Sequence, residues 1–152
     1  MSAVEDAAMP EEKLGAPAPV ALAMIVCDAI YQDPATKKCT LLGTFSTITA
    51  RRFPVVHPQL AVHVVLTDGR GNVRIKLALV GDNETHPPLF AGEGVIHFAD
   101  PRVVAELNFQ LSNVTFPQPG AYRFQLFANN ELLMERRLLV LQGGPPPSEP
   151  PI

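Results

Sequence analysis

Apolar and polar residues alternate along most of this chain with a period of two, the spacing of a pleated strand that buries one face. Leu60, Val62, Val64 and Leu66 fall on one side of the run from Leu60 to Thr67, and His63 falls on the other, as a solvated histidine would. Val73, Ile75, Leu77 and Leu79 repeat the pattern from Val73 to Val80, with Arg74 and Lys76 toward water. Leu107, Phe109 and Leu111 alternate with Glu106, Asn108 and Gln110, and Tyr122, Phe124 and Leu126 alternate with Arg123 and Gln125. The run from Val20 to Tyr31 is apolar on both sides except at Asp28, which predicts a central or covered strand. Cys39 to Ala50 reads as one strand, with Gly43 a bulge or a point of close backbone approach. Leu89 to Phe98 and Glu131 to Leu141 complete the set, the last with a register break expected near Arg136-Arg137.

Turn chemistry separates these runs. Asp33-Pro34, Phe53-Pro54, the polar loop Gly81 to Pro88, Asp100-Pro101 and Asn129-Asn130 all interrupt the alternation. Asp68-Gly69-Arg70-Gly71-Asn72 reads as a hairpin loop between neighbouring strands. Eight strands on short connections, with no convincing helix, predict an all-β antiparallel β-sandwich. The domain is expected to span residues 20–142. Residues 1–19, acidic and rich in Ala and Pro, and the Pro-rich residues 143–152 are expected to be disordered.

Composition narrows the functional classes. Hydrophobic residues make up 47% of 152, enough for one core that needs neither disulfide nor metal. Of the net charge of −3, most comes from the leader, where Glu5, Asp6, Glu11 and Glu12 face Lys13. The remaining body is nearly neutral and gives no electrostatic drive toward nucleic acid or an anionic membrane. No apolar run reaches the ~20 residues of a spanning helix. Cys27 and Cys39 flank the first turn, slightly out of register for a bridge, so two free buried thiols and a cytoplasmic setting are expected.

Pro119-Gly120-Ala121-Tyr122-Arg123-Phe124 resembles the tyrosine corner of immunoglobulin-like sandwiches, in which a tyrosine hydroxyl anchors a neighbouring loop. Together with Ile25 to Ile30 and Lys38 to Phe45, it resembles a family of small, uncharacterised bacterial β-sandwich proteins with no assigned function. The resemblance covers roughly residues 20–141 and implies an immunoglobulin-like fold, but no activity or ligand. Gly43, Gly120, Tyr122 and Phe124 are the structural residues it singles out. Phe124 stands where antibody domains place the second inter-sheet cysteine, and tryptophan is absent, so apolar packing alone must hold the sheets.

The catalytic inventory is thin. There is no Gly-x-Ser-x-Gly elbow, and Gly69-x-Gly71 joins strands where a phosphate cradle would need a following helix. His57, His63, His86 and His97 lack metal-ligand spacing, and the two thiols lie in apolar strands. No catalytic, cofactor or metal residue is therefore nominated. Arg51, Arg52 and Phe53 form a candidate interaction site, and Arg→Ala at Arg51 and Arg52 should leave any nucleic-acid retention unchanged. The expected function is a non-catalytic protein-interaction or structural domain, contacting a protein partner or a second copy through a sheet face or edge. The alternatives are a small-ligand or carbohydrate-binding module using Phe53, Phe90 or Phe127 as an outward platform, and an enzyme with an unrecognised thiol or metal site.

Overall fold

The computed structural model describes residues 17–82 and 86–143. The acidic leader up to residue 16 and the tail from residue 144 lie outside the described residues. Nine strands are present among those described: β1 (Val20–Gln32), β2 (Cys39–Thr44), β3 (Thr47–Ala50), β4 (Val55–Thr67), β5 (Gly71–Val80), β6 (Phe90–Phe98), β7 (Ala105–Phe116), β8 (Gly120–Ala128) and β9 (Glu131–Gln142). They form two sheets, of order β2-β1-β4-β7 and β3-β9-β8-β5-β6. All pairings are antiparallel except β3 with β9. In the immunoglobulin scheme β1, β4 and β7 take the places of strands A, B and E, and β9, β8 and β5 those of G, F and C.

The alternating residues meet between the sheets. Leu60, Val62, Val64 and Leu66 of β4 and Ile75, Leu77 and Leu79 of β5 are completely buried, with Phe124 and Leu126 of β8 among them. Tyr122 packs edge-on against Phe116, ring centroids 5.0 Å apart. A cluster built this way draws its stability from apolar area removed from water, without a cross-link between the layers.

Three local expectations differ from the structure. The predicted strand Cys39 to Ala50 divides: β2 pairs with β1, whereas β3 changes sheets and runs parallel to β9. Gly43, at φ +70°, lies just before this switch, and a Cβ there would meet Asp28 Oδ2 at 2.6 Å. The Asp68–Asn72 segment is an arch between sheets and not a hairpin, because β4 and β5 never pair. Gly69 is buried in that arch, and the Phe98 ring occupies the space a side chain would need. The break in β9 falls opposite Leu126/Phe127, not at Arg136-Arg137. Arg136 instead reaches across to the first sheet, donating to the Met24 carbonyl at 2.8 Å and to Ser46 Oγ at 3.0 Å.

Candidate functional site

His63 is 8% exposed, which corrects the expectation of a solvated histidine. It faces away from the inter-sheet core, as do Cys27 and Ala61, which are 0% and 2% exposed. The cover comes from the β1–β2 hairpin. Pairing between β1 and β4 stops at Cys27↔Ala61, and the hairpin continues to a turn at Asp33–Lys38. It then folds back over the outer face of β4 and β7, so that Asn108 Nδ2 lies 3.6 Å from Cys39 Sγ. Ile30 and Leu41, a cross-strand pair, are half-buried, whereas Tyr31, Thr40 and Leu42 are exposed. The hairpin therefore has an apolar underside and a wet upper side. This also explains why the first strand is apolar on both faces.

A polar cluster sits beneath it. His63 stands directly opposite Asn108, and Glu106 follows on the same face of β7. His63 Nδ1 and Asn108 Oδ1 are 2.7 Å apart, so Nδ1 donates and the carbonyl accepts. Donor atoms of Cys39, His63 and Glu106 all lie within 4.8 Å of one another. No spacing in the sequence signals this group, because its members come from β2, β4 and β7. The only sequence trace is the in-phase pair Glu106/Asn108 opposite a histidine, which requires the register to be known.

The two thiols are free and differ in setting: Cys39 is half-buried, not buried as expected. They are also out of register, Cys27 facing Thr44 and Cys39 facing Gln32. Burial pushes the Cys27 thiol above its ordinary range, although backbone hydrogen bonds at Leu42 and Ala29 pull the other way. A thiol so disposed stays protonated and is a poor nucleophile.

Other sites are spread over the surface. Tyr122 Oη donates to the Gln118 carbonyl at 2.6 Å, holding the corner that leads into β8 from half-buried Gly120. Beside that corner lies a cavity of ≈ 530 Å³ whose wall includes Pro87, Pro88, Leu89, Pro117, Pro119 and Tyr122. Arg51 and Arg52 are exposed after β3 and form no ion pair among the described residues. Phe53 and Phe90 pack against the core instead of forming an outward platform. Phe127 is half-buried on the outer face of β8, with Lys76 Nζ 5.9 Å from its ring centroid. The β6 edge pairs only with β5 among the described residues, and Val95 on it is 65% exposed. No described helix is long and apolar enough to cross a membrane.

No curated protein matches this chain. Among solved structures, an immunoglobulin-like protein from Pseudomonas aeruginosa is similar at 11% identity, with a TM-score of 0.34 over 76% of this chain and 90% of that one. Residues 22–141 match the model of a family of unknown function, DUF6941, and the chain belongs to that family.

Proposed function

We propose that the chain is a non-catalytic interaction domain that receives an extended segment of a protein partner, or of a second copy, along the free edge of β6. The observation that carries this reading is Val95, the most exposed large hydrophobic residue of those described, placed on a nine-residue strand that among the described residues is paired on one side only. An open edge supplies a row of main-chain donors and acceptors, and alternate side chains supply specificity. Glu93, Val95 and His97 alternate on the outer side of that strand and would read the incoming segment. The protonated, enclosed Cys27 thiol fits a domain without covalent chemistry, and two unbridged cysteines fit a reducing, cytoplasmic setting.

Sedimentation velocity and co-purification test the edge. Wild-type protein should self-associate or retain a partner, Val95→Lys should lose that species, and Thr40→Lys on the opposite sheet should keep it. A monomeric wild type with nothing retained, or a Val95→Lys variant behaving as wild type, would contradict the reading.

A second reading, small-ligand binding, is favoured by the cavity beside the tyrosine corner. Amide chemical-shift changes at Leu89, Gly120 and Tyr122 on screening a fragment or glycan library would support it, and silence across the library would remove it.

A further inference from the structure

We propose that Cys39, His63 and Glu106 form a binding site for a divalent cation of borderline softness, zinc being the ion whose ligand preferences they match. The inference is independent of the β6 edge, which lies in the other sheet.

The donor set is one thiol, one imidazole and one carboxylate, the three side-chain types that bind zinc. Their donor atoms lie within 4.8 Å of one another before any ion is considered. Around a tetrahedral zinc, such donors sit roughly 3.3–3.8 Å apart, given bonds of about 2.0–2.3 Å. Closing that difference takes about 1 Å of movement. Glu106 is exposed and free to swing, and Cys39 rides on a hairpin that touches the sheet through its underside.

Asn108 adds an independent argument. Its carbonyl accepts the His63 Nδ1 proton at 2.7 Å, which leaves the lone pair on Nε2. Its amide points at Cys39 Sγ at 3.6 Å, where it would stabilise a thiolate. One side chain thus orients two of the three ligands, as outer groups around metal-bound histidines commonly do. His63 itself is more than nine-tenths buried, so its orientation is set by packing as well.

In the bound form Cys39 would be a thiolate, its proton released to solvent, His63 a neutral imidazole ligand and Glu106 a carboxylate ligand. The ion's two positive charges are then balanced by two negative ligands. Three protein ligands leave a fourth position for water. Because Cys39 belongs to β2 and the other two to β4 and β7, the ion would pin the hairpin to the sheet.

The test uses the full chain without an affinity tag, titrated calorimetrically with zinc and spectroscopically with cobalt(II). One equivalent should bind, and cobalt should show tetrahedral visible bands with a thiolate charge-transfer band in the near ultraviolet. That charge-transfer band should vanish in Cys39→Ser and persist in Cys27→Ser. Asn108→Ala should weaken binding by about 10–100-fold. Glu106→Gln, on an exposed side chain that leaves folding untouched, should weaken it by about tenfold or more and decides the matter if Cys39→Ser fails to fold. Absence of stoichiometric uptake by the wild type, an unaltered charge-transfer band in folded Cys39→Ser, or unaltered affinity in Glu106→Gln would overturn the proposal.

Discussion

On its inner side β4 buries Leu60, Val62, Val64 and Leu66 against the second sheet, whereas on its outer side Ala61 and His63 are buried beneath the β1–β2 hairpin. The inner contact is continuous, apolar and shared among most strands. The outer contact rests on one hairpin with a few half-buried residues, and it encloses imidazole, amide and thiol groups. Burial on the two sides of one strand therefore serves different ends. The inner side supplies cohesion, and the outer side creates a sheltered place where polar groups converge.

The contrast can be broken most severely from the inner side. Phe124→Ala removes a completely buried ring from the sandwich and should cost about 3–5 kcal/mol, read as a lower urea midpoint with the whole domain affected. Gly43→Ala acts on the outer side. A Cβ at φ +70° that also meets Asp28 should cost about 1–2 kcal/mol or more. Its signature should be local, with faster amide exchange in β2 before any change in β5 or β8. If exchange rose equally in both sheets, the hairpin would not be a separate unit. Tyr122→Phe deletes only the bond to the Gln118 carbonyl and should cost about 0.5–1.5 kcal/mol in chemical denaturation, the edge-on contact with Phe116 being retained.

The smallest effect concerns the hairpin turn. The Asp33 carboxyl is held below the ordinary aspartate range, first by the Thr36 hydroxyl and then by the Thr36 backbone amide. A carboxyl depressed in the folded state contributes stability that is present above its unfolded pKa and is lost as pH falls through its folded pKa. Acidification below the usual carboxylate range should therefore loosen residues 33–38, seen as a shift of the Thr36 amide resonance, with little change in global stability because these bonds lie at the exposed hairpin turn. In Asp33→Asn the Thr36 resonance should lose most of this pH response.

These differences also explain which features could be read from the chain. Period-two runs such as Val73 to Leu79 carry their own phase, so the inner face and the sandwich class were legible from local pattern. The two-sided apolarity of Val20 to Tyr31 signalled a cover without saying that the cover was the strand's own hairpin. Asp68 to Asn72 has the residues of a tight turn, yet the same residues serve an arch between sheets. Only long-range pairing separates the two uses. The cluster at Cys39, His63, Glu106 and Asn108 depends on that pairing and on the fold-back of β2 together, so no spacing within the sequence could disclose it.

The fold-back of the hairpin is the claim on which the outer site rests, and a nuclear Overhauser experiment on labelled protein addresses it directly. The Asn108 side-chain amide protons should show cross-peaks to the Cys39 β protons, and His63 ring protons should lie near both. Cross-peaks from Cys39 to Gln32 alone, with the Asn108 amide exchanging freely with water, would contradict the account.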